Sequence, residues 1–328
     1  MEPARAPVFP PSDDTPEDLV RARLLAFDAS AVAPLVGRLR ALARGRAAAV
    51  VLYGSRLAPE LATPTSVHDF FVLVDDYRAA LPGTRDRLLA RVLPPNVYRL
   101  RVAGPDGASL EGKYCVISRT DLERETSGRA RDFYHLGRFS KRMAVVWRRD
   151  DEALATVVRA AVAATRALAP HALAALPERF SLADFSRALL AMSYRGEVRP
   201  ESGEKVDRLL RAEAEYYAGL HRAVLDEHAR ERPGELAPGS GGSTWSQRRS
   251  PARTRATRRA IARSRRRSVL RWPKQMWLFD GWLDFLLAKV QRTWGVDVRA
   301  EMTGRELRHP LLFGWRRFFR LVRQGKIR

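Results

Sequence analysis

Cysteine is nearly missing from this 328-residue sequence: Cys115 stands alone, which excludes an internal disulfide framework and any zinc site built on several thiolates. Lysine is scarce as well, six against 53 arginines, a bias that we read as base composition of the coding sequence. No run of 18 or more apolar residues occurs, so a simple membrane-spanning helix is not expected. The opening MEPARAPVFPPSDDTPEDL holds too many acids and prolines for a secretion signal or an organelle transit peptide, and a reducing compartment is expected. With 45% hydrophobic and 29% charged residues, the chain is neither disordered overall nor fibrous. Its length suits two or three domains, each with a core.

Positive charge is abundant and unevenly spread. The net charge is +22, and residues 245–328 carry 23 Lys/Arg against 5 Asp/Glu, or +18, leaving +4 for everything before them. A nearly neutral body with a basic tail implies an anionic partner surface, either nucleic acid or an acidic membrane.

Residues 1–20 read as an exposed arm and 31–49 as a helix. Short apolar runs at 48–53 (AAVVLY), 69–74 (DFFVLV), 96–102 (NVYRLRV), 113–118 (KYCVIS) and 143–147 (MAVVW) predict strands, the third reaching the fourth through a GPDG turn. Strands with helices between them make residues 1–150 a mixed α/β or α+β domain. From 151 to 232 the periodicity is helical, with Ser181 and Asp184 spaced as a capping box. Residues 233–270 read as a Gly/Ser- and Arg-rich linker, whose part 248–267 is expected to lack structure of its own. Residues 271–328 read as a basic, aromatic helical region.

The chemistry-bearing pattern is Tyr53-Gly54-Ser55, thirteen residues, then Asp69-Phe70-Phe71. A strand, a Gly-Ser turn and an acid on the next strand resemble the nucleotidyltransferase fold. Glycine lets backbone approach a triphosphate, the serine hydroxyl and turn amides donate to phosphate oxygens, and the strand carboxylate suits Mg²⁺. The usual pattern alternates two carboxylates, so that both face the metal, but Phe71 stands at the second position.

Further blocks extend the likeness. VVLYGS, VHDFFVLVDD, LPPNVY, GKYCVIS, FYHLGRFSKRMAV and FSLADFSRALLAMSYRGEVR follow one another across about residues 46–210. Through them the sequence resembles the mitochondrial-type CTP:phosphatidate cytidylyltransferase family, also called the mitochondrial translocator assembly and maintenance family. The resemblance implies an α+β fold, in which a nucleotidyltransferase mixed sheet with helices precedes a winged-helix-like helical domain and the basic amphipathic C-terminal region. It also implies Mg²⁺-dependent transfer of CMP from CTP to phosphatidate, giving CDP-diacylglycerol and pyrophosphate. By that likeness Gly54 and Ser55 match the phosphate-binding turn, Asp69 the metal aspartate, and Lys113 the lysine of a Lys-Tyr-Gly block. Gly137, Arg138 and Lys141 match a second block, and Tyr194, Gly196, Glu197 and Arg199 a third. Arg138, Lys141 and Arg199 are thereby nucleotide-binding candidates, and Glu197 a candidate second metal ligand. Departures are Arg56 for Gly, Cys115 for Gly, Leu136 for Ala, Ser140-Lys141-Arg142 for His-Lys-Pro, and Glu197 for Asp.

Other residues read more plainly. His68 alternates away from Asp69 and is expected in packing or at the surface, whereas His135 is open either way. Cys115 reads as a small core residue, and Tyr53 packs beside the turn or stacks on the nucleotide base. In the tail, Leu311, Trp315, Phe318 and Val322 share a helical face that Leu312 and Phe319 widen, with Arg316, Arg317, Arg320 and Arg323 beside it. Trp277, Trp282, Phe285 and Leu286 form a second such stretch. These suit an anionic bilayer interface or, equally, the core of a small bundle. No base-reading signature favours nucleic acid. The expected location is the cytoplasmic face of a bacterial membrane, as a peripheral protein. The residues alone leave open transfer to another acceptor, such as RNA or a small polar molecule, and a catalytically inactive basic relative.

Overall fold

The computed structural model describes residues 14–57, 62, 66–81, 83–104, 107, 109–197, 203–239, 243–278, 283–284, 287–288, 290–291, 295–310, 314, 317, 320 and 323–324. Two helices lead: α1 (Pro16–Leu25), opened by a Thr15–Asp18 capping box, and α2 (Ala33–Leu42). Then come β1 (Ala47–Tyr53), β2 (His68–Val74), α3 (Tyr77–Ala80), α4 (Thr84–Val92), β3 (Val97–Ala103), β4 (Ser109–Ser118), α5 (Arg119–Glu125), α6 (Phe133–Phe139) and β5 (Met143–Arg148). The five strands form one mixed sheet in the order β3-β4-β2-β1-β5. β2 and β4 run parallel, and the other three pairings are antiparallel.

The central strands read as unbroken apolar runs because both sheet faces are covered. Val50, Leu52, Phe70, Val72 and Val116 meet Leu35, Val36 and Leu39 of α2 on one side. On the other, Val51, Phe71, Leu73, Cys115 and Ile117 meet helices that follow in the chain. Chief among these is α7 (Asp151–Leu173), capped by Asp150. By length and composition α7 could cross a membrane, yet 67% of its apolar window is buried inside the protein. It is the core helix on which α6 and the sheet rest.

Beyond α7 lie β6 (Arg179–Ser181), α8 (Leu182–Arg195), α9 (Gly203–Ala212), α10 (Ala214–Glu231), β7 (Leu236–Pro238) and β8 (Thr244–Gln247). The expected capping box is present: Ser181 and Asp184 exchange hydrogen bonds at the start of α8. The three short strands pair antiparallel in the order β6-β8-β7. One apolar core runs from β1 through α7 and α8 to Leu225 of α10, so no core boundary falls near residue 150. The compact units are Met1–Arg271 and Trp272–Arg328.

The stretch 233–270 differs from the expected linker. β7 and β8 occupy its first part, and α11 (Pro251–Leu278) runs through its arginine-rich part. Thr257, Ala260, Ser264 and Arg271 of α11 are buried. Ser264 Oγ accepts from the Phe133 amide (3.0 Å) and donates to the Gly196 carbonyl (2.8 Å), tying α6 to the end of α8. A low-complexity run folds here because its inner face is small and hydrogen-bonded rather than apolar.

In the second unit, Leu287, Val290 and Val298 cluster, and short helices α12 (Val298–Glu301) and α13 (Gly304–Arg308) follow. The side chains of Trp277, Trp282, Phe285, Leu286, Leu311, Leu312, Trp315, Arg316, Phe318, Phe319 and Val322 lie outside the described residues, so the expected interfacial face does too.

Ser264→Ala leaves the Phe133 amide and the Gly196 carbonyl without this partner in a buried setting, at a cost of about 1–3 kcal/mol. Urea unfolding should show the loss as a lower midpoint with an unchanged slope. An unshifted midpoint would mean that α11 contributes nothing to the fold.

Candidate active site

Ladder register assembles the site. Arg99 pairs with Lys113, Lys113 with Asp69, Asp69 with Tyr53, and Tyr53 with Met143, so five strands contribute one transverse row. Directly opposed residues share a face, here the face that carries Phe71 and Cys115 towards α6. Asp69, near the start of β2, and Lys113, midway along β4, are both half-buried. An acid one strand from the turn and an ammonium two strands from it are thus set in register by backbone pairing.

Gly54 closes the row at the end of β1. Its φ is +91°, and a Cβ there would lie 3.1 Å from Asp69 Oδ2. Any larger residue would be strained and would also crowd the carboxylate. Ser55 begins a single 3-10 turn, and its hydroxyl donates to Ser66 Oγ at 3.1 Å. Arg56, a departure from the family pattern, donates from Nε to the Ser66 carbonyl at 2.8 Å and so pins the turn to the residues ahead of β2.

Phe71, where a second carboxylate is usual, is buried. Its ring stacks on Tyr53 at 4.5 Å and meets Phe139 at 5.1 Å and His135 at 5.8 Å. It lies two residues along β2 from Asp69, on the same face, as packing beneath the site. Tyr53 therefore packs beside the turn. Burial, together with nearby Cys115, Tyr134 and Asp69, pushes its hydroxyl well above the ordinary value and keeps it a neutral phenol. Cys115 Sγ sits 4.0 Å from the Tyr53 hydroxyl and 3.9 Å from that of Tyr134. Burial pushes this thiol up to about 11, so it stays protonated at neutral pH.

α6 and the end of α8 approach this row. Arg138 forms an ion pair with Glu197, the two side chains 13% and 12% exposed. Arg138 also donates to the Tyr134 carbonyl (3.0 Å) and lies 3.5 Å from the centre of the Tyr134 ring. Burial would lower the Arg138 guanidinium, but the Glu197 carboxylate outweighs it and holds the cation above its ordinary value. Glu197 is thus engaged by a guanidinium, and among the described residues no group of three His, Cys, Asp or Glu is placed to hold a metal. Lys141 lies with Nζ 3.6 Å from the Tyr194 ring. A Cβ on Gly137 would meet Ser193 Cβ at 2.5 Å, and one on Gly196 would meet Phe133 Cβ at 2.7 Å, so both glycines serve helix packing. Arg199 lies outside the described residues.

Both histidines are spectators. His68 points to the opposite face, stacked near Phe70, with Nδ1 3.3 Å from the Glu111 carbonyl. His135 is buried, and burial lowers it to about 3. Tyr134 was not among the expected site residues. Its place four residues before Arg138, one helical turn away, was the available signal.

The family model described as "Phosphatidate cytidylyltransferase, mitochondrial" matches residues 102–292, more than half of the chain. The chain belongs to this family. A search of curated proteins found no match. The matched stretch begins in β3 and contains Lys113, Arg138, Lys141, Glu197 and the whole of α11, whereas Tyr53, Gly54, Ser55 and Asp69 precede it. As a phosphatidate cytidylyltransferase the chain is an enzyme of phospholipid synthesis that forms CDP-diacylglycerol from CTP and phosphatidate. The family's mitochondrial description also corrects the expected location. The bacterial, cytoplasmic-face assignment rested on the residues at which the sequence starts, which say nothing about what precedes them, and the match points to mitochondria.

Removing the Arg138 guanidinium takes a close cation away from the enclosed Glu197 carboxylate. Arg138→Ala should cost about 3–5 kcal/mol in urea unfolding. A loss under about 1 kcal/mol would show the pair to be water-screened and incidental.

Proposed function

We propose that CMP transfer takes place at the Gly54 end of the sheet, with Asp69 as the metal carboxylate and Lys113 as the principal phosphate cation. The supporting observation is the close approach of Gly54 to Asp69 Oδ2, within 3.1 Å of where a Cβ would stand. The donor set suits Mg²⁺ of one kind: a single half-buried carboxylate beside a side-chain-free turn fits an ion that keeps waters and substrate phosphates as its other ligands. A cage built from protein carboxylates does not fit, since Glu197 is committed to Arg138. When bound at Asp69, Mg²⁺ neutralises triphosphate charge and polarises the attacked phosphorus.

In this reading an oxygen of the phosphatidate phosphate monoester forms a bond to the α-phosphorus of CTP. The bond from that phosphorus to its bridging oxygen breaks, and pyrophosphate leaves. The Ser55 hydroxyl and the turn amides donate to triphosphate oxygens. Lys113, held level with Asp69 by the β2–β4 register, balances charge at the same phosphates. Lys141 extends the cationic wall, Tyr53 lines the turn, and Arg199 remains a nucleotide-binding candidate through the family resemblance alone. Arg138 serves from below, through Glu197 and Tyr134. A phosphate monoester has a second pKa of about 6, so the nucleophile is already ionised near neutrality and needs alignment rather than a base. That is why one carboxylate suffices and Phe71 can be core.

The substrate lipid lies in a bilayer, and we place the enzyme at an anionic membrane surface through its basic C-terminal part. Arg255, Arg258, Arg259, Arg265 and Arg266 are exposed along α11 and offer a cationic face. A winged-helix-like second part, built on α8, α10 and the three short strands, belongs to the same reading.

Asp69→Asn should lower Mg²⁺-dependent formation of lipid-linked CMP, from labelled CTP and phosphatidate vesicles, by at least about 100-fold. Retained turnover would refute the site assignment. Replacing Arg255, Arg258 and Arg259 together by Ser should weaken flotation with anionic vesicles by roughly 100-fold at about 1 kcal/mol per arginine. Unaltered flotation would remove α11 from the docking surface.

A further inference from the structure

Besides Ser264, the arginine-rich helix α11 meets α6 at Asp132. Asp132 caps α6, its carboxylate accepting from the Tyr134 amide at 2.9 Å. That carboxylate is 1% exposed and is held by two cations of α11: Arg267 through Nε at 2.8 Å, and Arg271. Burial works against the Asp132 charge, but Arg271 and Arg267 hold its carboxyl below the ordinary range. The two arginines then diverge. Arg267 donates its Nη2 to the Val92 carbonyl at 3.0 Å. Arg271, itself 6% exposed, donates Nε to the Pro94 carbonyl at 2.6 Å, and its guanidinium carbon lies 5.1 Å from the centre of the Tyr134 ring.

Tyr134 therefore has a guanidinium of α11 on one contact and that of Arg138 on another, at 5.1 Å and 3.5 Å. Its hydroxyl is 3.9 Å from Cys115 Sγ, and Cys115 reaches Tyr53 beside Asp69. A planar guanidinium can serve a carboxylate, a carbonyl and a ring face together, because its donors are fixed in one plane and its faces are free. An ammonium cannot reach all three.

We propose that Arg271 is a positioning residue of the CMP-transfer site. From α11 it fixes the ring of Tyr134, and through that ring the Arg138–Glu197 pair and the Tyr53 side of the Asp69 row. The proposal rests on the site reading above, but the two can fail separately. Nothing in it needs Arg271 to touch substrate.

Arg267 supplies an internal control, since it binds the same carboxylate and contacts the Val92 carbonyl. The full-length enzyme is assayed with CTP and phosphatidate vesicles as wild type, Arg271→Lys, Arg267→Lys, Tyr134→Leu and Arg271→Lys/Tyr134→Leu. Circular dichroism and thermal unfolding establish the folded fraction, to which rates are normalised. Arg271→Lys should lower kcat/KM for CTP at least tenfold, Arg267→Lys less than threefold, and the double variant no further than Tyr134→Leu alone. Equal effects of the two lysine substitutions, additive losses in the double variant, or full activity in folded Tyr134→Leu would each overturn the proposal. If Arg271→Lys does not fold, folded Tyr134→Leu decides alone: a tenfold loss supports the ring's role and full activity refutes it. Asp69→Asn separates the two readings, because its retained activity would remove the site itself, whereas its loss with an unaffected Arg271→Lys would remove only the positioning role.

Discussion

The space that Gly54 leaves beside Asp69 is the constraint on which the proposed site depends. A left-handed residue at the end of β1 turns the chain away from the sheet just where the neighbouring strand presents its carboxylate. Because Lys113 is the register partner of Asp69 on a parallel strand, its position follows from the same backbone pairing. Phosphoryl transfer is served mainly by placement and electrostatics, and in the proposed reading a turn with two charged residues on rigid strands supplies both. Phe71 carries no ligand atom; it stacks on Tyr53 and joins the core to α6.

Charge is managed in two ways. Inside, arginines are matched to acids: Arg138 with Glu197, Arg267 and Arg271 with Asp132, and Arg23 and Arg142 with Glu213. Each pair ties elements that are distant in the chain, and each is enclosed enough that losing one partner costs far more than a surface pair would. Outside, α11 shows a face of exposed arginines. One helix thus packs with its inner side and presents cations with its outer side.

Much of the first 150 residues was legible because apolar runs and Gly/Asp punctuation mark strands independently of context. Tyr53, Gly54, Ser55 and Asp69 stood out as a strand-turn-strand pattern through local turn chemistry and strand period, Lys113 entered through the family resemblance, and only the ladder register puts them in one row. α11 was not legible. Its inward stripe, buried Thr257, Ala260, Ser264 and Arg271 with half-buried Arg267, has the 3-4-3-4 spacing of a packed helix, but none of its members is large and apolar, so hydrophobic periodicity does not register it. The commitment of Glu197 to Arg138 depends on how α6 meets α8, and that meeting is set by glycines and Ser264 from three separate segments. The division of the chain also departs from composition: α7 belongs to the sheet's core, so a change from strands to helices marks no boundary.

Calorimetric titration of CTP with Mg²⁺ into the folded wild-type enzyme and Gly54→Ala tests the central claim most directly. The added methyl group occupies the space at Asp69 while leaving every charge in place. The account predicts at least a tenfold weaker affinity in a variant whose circular dichroism is unchanged. Equal affinity would show that the nucleotide is held elsewhere.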